Sequence, residues 1–159
     1  MGADRVRASW TDDMDECWIS EMIHQANVLG KKAQSGFKRE AWDAAVKILN
    51  NRFQINYDRE HVKTRSITLK RDFDTVTRIK NLSGFGWDDR RYLATAPTLV
   101  WEEYIAAHPR CKKWMTTSMP LFPLLQQLFE DVIANGEFAY SAGARALSDQ
   151  EDSISPMFP

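Results

Sequence analysis

The sequence predicts an all-α fold, a three-helix bundle with a C-terminal helical extension. Three observations lead there. Apolar side chains recur at spacings of three and four residues through five segments. Turn-forming Gly, Asn, Asp and Pro residues separate those segments. No stretch alternates apolar and polar residues for long enough to read as a strand, and there is no internal repeat. With 43% apolar and 27% charged side chains in 159 residues, there is material for one compact core but not for two large domains.

The first helix is expected over about residues 11–28, with Met14, Trp18 and Met22 on one stripe and Ile19, Ile23 and Ala26 beside them. Asp12, Asp13, Asp15 and Glu16 sit in its first turns, where carboxylates favour the positive end of the helix dipole. Gly30-Lys31-Lys32 and Ser35-Gly36 break the pattern, and a second helix, about 38–53, aligns Trp42, Ala45, Val46, Leu49 and Phe53. Asn56-Tyr57-Asp58 ends it, and Asp58 is placed to cap a third helix over about 59–82. There Val62, Ser66, Leu69, Phe73, Val76 and Lys80 share one side, and Lys63, Thr64, Ile67, Thr68, Arg71, Thr75 and Arg78 lie opposite. Arg65 and Lys70 fall on the flanks.

The turn Gly84-Phe85-Gly86-Trp87-Asp88-Asp89 marks an internal boundary. Pro97 opens a fourth helix, about 97–107, with Val100, Trp101, Tyr104 and Ile105 on its apolar side and Pro109 after its end. A fifth, about 120–135, repeats Phe122, Leu125, Leu128, Phe129 and Val132 before Asn135-Gly136. Residues from about 142 onward read as a flexible acidic tail. The organisation expected is therefore a three-helix unit at 9–82, a helical extension packed on it at 83–136, and a tail at 137–159.

Several function classes find no support. Arg5, Arg7 and Asp12 interrupt the start, and the apolar runs are short, so neither a signal peptide nor a membrane span is expected. Cys17 and Cys111 have no partner pattern, and His24, His61 and His108 fall near no ligand cluster, which leaves no metal site and no disulfide framework. Gly84-x-Gly86 lacks the third glycine, the strand and the downstream acid of a dinucleotide fingerprint. Asp12/Asp13, Asp88/Asp89 and Glu102/Glu103 are sequence neighbours whose side chains diverge on a helix. Cys17, beside Trp18, reads as a packed small hydrophobe. No acid, base and nucleophile converge, so neither an enzyme nor a cofactor is expected.

Charge is the positive signal. The chain carries a net charge of −1, but residues 31–80 hold thirteen basic and six acidic side chains, net +7, between flanks of net −4 each. A basic middle suits a polyanion, and acidic flanks limit indiscriminate attraction. Three successive helices with a long, basic, outward-facing third match the layout in which one helix enters the DNA major groove and the others position it. Trp10, Trp18, Trp42 and Phe73 would fill the inside.

The order of motifs is distinctive: Ser9-Trp10-Thr11, Gly30-Lys31-Lys32, Phe37 and Trp42, Val62-Lys63-Thr64-Arg65, and Leu69 with Phe73. Then follow Ser83-Gly84-Phe85-Gly86-Trp87-Asp88, Val100-Trp101-Glu102-Glu103-Tyr104-Ile105 and His108-Pro109. Over about residues 9–130 this resembles the Myb/SANT-like DNA-binding domain family of plants and fungi, which includes proteins derived from Harbinger-type transposons. The resemblance implies a helix-turn-helix-like three-helix domain, a nuclear location, double-stranded DNA as partner, and transposase partners or transcriptional regulation. Thr64 departs from the Asn common there ahead of a basic residue, and Trp10 to Trp42 is longer than the spacing of an ordinary Myb repeat.

On the third helix Lys63 and Arg71 can donate to guanine O6 and N7, Thr64 and Thr68 can meet base edges, and Ile67 can meet a thymine methyl. Lys31, Lys32, Lys38, Arg39, Arg65, Lys70 and Arg78 are the phosphate candidates. Trp87, Trp101, Tyr104 and Trp114 either extend the core or form an aromatic surface for a partner or a second copy of the chain. The rival reading is a SANT-type interaction module that binds chromatin proteins or a transposase.

Overall fold

The computed structural model describes residues 8–28, 32–33, 36–37 and 39–132. Helix α1 (Asp12–Asn27) begins where the Thr11 side chain accepts a hydrogen bond from the Met14 N–H at 3.2 Å. A two-residue hairpin, β1 (Lys32–Ala33) with β2 (Gly36–Phe37), leads into α2 (Arg39–Phe53). Helix α3 (Arg59–Lys80) follows. A second antiparallel hairpin comes next, β3 (Gly86–Asp88) with β4 (Leu93–Thr95), in register Gly86 to Thr95 and Asp88 to Leu93. Helix α4 (Thr98–Ala107), a 3₁₀ helix (Pro109–Met115) and α5 (Phe122–Gln126) complete it, and α5 continues as a π-helical stretch to Val132.

The fold is all-α in its framework, with three corrections to the element list. The hairpins were not expected, because strands of two and three residues are too short to show a period of two. At the second, the Asp88 carboxylate accepts from the Arg90 and Arg91 backbone N–H groups at 3.0 and 3.2 Å, and Tyr92 takes the left-handed φ of 54°. The 3₁₀ helix after Pro109 also went unseen, since its three-residue turn leaves no helical stripe. The fifth helix is not one regular element but a short α-helix running into a π stretch. The expected stop at Asn135-Gly136 and the tail lie outside the described residues.

Packing follows the apolar stripes. Trp18, Ile19 and Met22 of α1 and Leu49 of α2 are fully buried where those two helices meet. Val62, Leu69, Phe73, Val76 and Ile79 form the buried side of α3, and Ile79 takes the place expected for Lys80. One continuous cluster joins these side chains to Trp101, Cys111, Trp114, Phe122, Leu125, Leu128 and Phe129. Phe73 meets Phe122 and Phe129 at ring-centroid distances of 5.1 and 5.6 Å. The segment after residue 83 thus buries its aromatics against α1 and α3, where each large side chain truncated to alanine would cost about 3–5 kcal/mol. Among the described residues no helix is long and apolar enough to cross a membrane, and no group of His, Cys, Asp and Glu could hold a metal ion.

Candidate nucleic-acid interface

The sequence that starts α3 also fixes its direction. Asp58 accepts from the His61 backbone N–H at 2.9 Å, and its own N–H donates to His61 Nδ1 at 2.9 Å, closing a reciprocal cap. The backbone bond from His61 is the main reason the Asp58 carboxyl titrates below its ordinary range. Arg59 Nε donates to Asp43 of α2 at 3.1 Å. Further in, Arg65 donates to Asp15 of α1 from Nε at 3.0 Å and from Nη2 at 2.7 Å, and Trp18 Nε1 donates to the same carboxylate at 3.0 Å. Asp15 is buried, so a charge-assisted pair braces α3 against α1 where solvent competes little. The Arg65 guanidinium also stands 5.7 Å from the Trp10 ring, and Tyr57 closes over Trp10 at 5.0 Å.

Opposite the buried side, Glu60, Thr64, Ile67, Arg71, Asp74 and Arg78 are exposed along α3. Ile67 is 38% exposed, one of four large apolar side chains left in water among the described residues. Thr68 and Thr75 flank the stripe, and their hydroxyls donate back to the Thr64 and Arg71 carbonyls at 3.3 and 3.0 Å. Lys63 stands with its ammonium 5.7 Å from the Trp42 ring centroid. Arg71 makes no ion pair among the described residues. Of the base-edge candidates, Thr64, Ile67 and Arg71 are therefore exposed on one face, with Lys63 and Thr68 half-buried at its borders.

The phosphate candidates fare differently. Arg39 is exposed at the start of α2. Lys31 and Lys38 lie outside the described residues, and of Lys32 only the backbone is described, paired with Phe37. Lys70 is tied to Asp74 at 2.7 Å with its ammonium 5.9 Å from the Phe129 ring. Arg65, expected on a flank, belongs to the Asp15 pair: only 24% of its side chain is exposed, because it bridges α1 and α3. Arg78 is exposed beside Tyr104 and Cys111. Burial pushes the Tyr104 hydroxyl up to about 12, with the adjacent Cys111 thiol adding to it, and that hydroxyl makes no hydrogen bond of good geometry.

The aromatic-surface alternative is corrected for two of its four members. Trp101 and Trp114 are 3% and 7% exposed, since Phe85 packs edge-on to Trp101 at 4.9 Å and Trp114 sits inside the common core. Trp87 is half-buried, tilted against Phe122 at a centroid distance of 4.9 Å and under the Lys80 ammonium, and Tyr104 is half-buried against Phe85 and His108.

Asp15 was missed as a functional residue because it reads as one more acid at a helix start. Its position between Met14 and Trp18 on the apolar stripe was the available signal, since a carboxylate there needs a cation. Arg110, Lys112 and Lys113 were missed with their 3₁₀ helix.

A cap, two ion-pair braces and a long helix with one exposed face of mixed chemistry make a three-helix unit that presents α3 outward. Residues 9–104 match the Myb/SANT-like DNA-binding domain family. The chain belongs to that family. The match crosses the boundary expected at residue 83 and takes in β3, β4 and most of α4, so the family's shared architecture includes part of the extension. An uncharacterized protein of Arabidopsis thaliana is 28% identical over 152 residues, covering 91% of this Myb/SANT-like chain and 49% of its own length. The Arabidopsis thaliana L10-interacting MYB domain-containing protein is 20% identical over 133 residues, covering 84% of this chain and 29% of its own. The chain thus spans about half or less of the curated relatives it matches. No solved structure matches it.

Proposed function

We propose that this DNA-binding domain reads a specific double-stranded sequence, with α3 in the major groove. The observation that carries the reading is the outward face of α3, where Thr64, Ile67 and Arg71 stand exposed along one line. Phosphate attraction alone requires only cations, whereas an exposed isoleucine between a threonine and an arginine suits the mixed chemistry of base edges and thymine methyls. Residues 9–82 then form the reading unit and residues 83–136 its support. The chain acts in the nucleus, in transcription regulation or as a transposon-derived DNA-binding factor. A transposase or chromatin factor is the protein partner that this setting provides, and a second copy of the chain would read a palindromic site.

The test is in vitro selection from a random duplex library with the full chain near physiological salt. An enriched motif is the expected result, and Arg71→Ala should then weaken binding to that motif more than to scrambled duplex. Salt-sensitive binding without enrichment would overturn specific readout. The exposed acids Asp12, Asp13 and Glu16 along α1 favour the SANT-type reading as runner-up, in which that face holds a basic segment of a chromatin protein.

A further inference from the structure

The 3₁₀ helix Pro109–Met115 carries Arg110, Lys112 and Lys113 and no acidic residue. With three residues per turn, positions three apart share an edge. Cys111 and Trp114 share the edge that is buried in the core. Arg110 and Lys113 share the second edge, Lys112 lies on the third, and all three cations are exposed. None forms an ion pair among the described residues, although the Lys113 ammonium stands 4.5 Å from the Trp114 ring. A segment anchored by two buried side chains therefore holds three cations outward.

Its place in the fold gives those cations a use. The 3₁₀ helix packs on β4, β4 packs on α3, and the Met119 N–H just beyond the segment donates to the Tyr92 carbonyl at 2.9 Å. Lys113 and Arg71 are both near enough to Asp72 of α3 to oppose the rise that burial gives its carboxyl, and Arg78 lies beside Cys111. The basic segment therefore approaches α3 by way of β4, and Lys113 reaches the Asp72 side of that helix. The major groove is about 12 Å wide and lined on both lips by phosphates, and whatever stands beside an inserted helix meets a lip.

We infer that Arg110, Lys112 and Lys113 form a second, phosphate-binding edge of the DNA interface, holding the backbone of the same duplex whose groove α3 enters. The inference rests on the DNA reading above and extends it to a segment that lies beyond residue 104, outside the matched family region. Contacts of this kind carry no sequence information, but they fix the register of α3 on the duplex and raise affinity for every sequence alike.

The experiment compares the full chain with R110Q/K112Q/K113Q on the selected duplex and on a scrambled one, from 50 to 200 mM salt. Each lost phosphate contact lowers the salt slope by about 0.9, so three contacts reduce the affinity ratio between those two salt concentrations by roughly 40-fold. The loss should be equal on both duplexes, and trimming base pairs from one end of the selected duplex should abolish the difference between the two proteins. R110Q/K112Q, which leaves Lys113 beside Asp72, should show about two thirds of the change in slope with an unchanged melting temperature. Unchanged slope and affinity in both variants, with Arg71→Ala still weakening binding, would overturn the phosphate edge and leave the DNA reading standing. Absence of duplex binding by the unmodified chain would overturn both. Retained duplex binding in the variants together with lost capture of an acidic protein would assign the edge to a protein instead.

Discussion

Two arginines six residues apart on α3 show how one basic helix divides its charge. Arg65 turns toward α1, where a buried carboxylate and the Trp10 ring receive it. Arg71 turns away from the core and has no ion-pair partner among the described residues. The first is a brace and the second is available to a ligand. The same division runs through the basic region: Arg59 and Lys70 are held by Asp43 and Asp74, while Lys63 and Lys80 lie against rings. A surplus of positive charge in the sequence overstates the free charge on the surface, and the face that remains is narrower and more chemically mixed than the surplus suggests.

The largest expected effect breaks the brace. Asp15→Ala leaves Arg65 unmatched and the Trp18 N–H buried without an acceptor, and should cost about 3 kcal/mol in urea denaturation. Combining it with Arg65→Met removes the stranded charge and should recover part of that loss; a double variant no more stable than the single would show that the pair does not couple α1 to α3. Arg71→Ala makes the opposite prediction. The melting temperature should stay put while binding to the selected site weakens by about 1–3 kcal/mol, measured by titration against matched and scrambled duplexes. If Arg65→Ala at full folded occupancy and Arg71→Ala lost affinity in the same sequence-dependent way, the two arginines would not divide as described.

How far the sequence reveals this division follows from which interactions are local. The three main helices, their order and the outward face of α3 were legible because periodicity and the Asp58 cap act within a few residues of chain. The Asp15–Arg65 pair joins residues fifty apart, and no local pattern assigns a partner to either; the sequence placed Arg65 on a flank and could say only that a flank meets something. Trp101 and Trp114 were ambiguous between core and partner surface, because burial of an aromatic depends on which elements fold over it. The hairpins and the 3₁₀ helix lie below the length at which a period can be recognised, so three cations went with them.

The smaller effects probe how α3 is held at its two ends. Asp58→Ala removes the cap and should cost about 1 kcal/mol. Because the cap holds the Asp58 carboxyl below its ordinary pKa, the unfolded chain takes up a proton there first as the solution is acidified. This contribution is therefore full at neutral pH and declines as pH falls through the depressed value, so the variant and the parent should converge in thermal melts run in acid. Asp72 has the opposite sign. Burial raises its pKa in the folded state, opposed by Lys113, Arg71 and Arg65, so the folded chain binds that proton more tightly than the unfolded one. Ionised Asp72 thus costs stability above the raised value and nothing below the unfolded one. Asp72→Asn should raise the melting temperature slightly at pH 7, and the gain should shrink as pH is lowered toward 4. The same change removes a negative charge between Arg71 and Lys113, so it should also tighten duplex binding at low salt on every sequence. A destabilised Asp72→Asn protein at neutral pH would show that the carboxylate is a structural partner of those cations, and that the basic edge is committed to the fold.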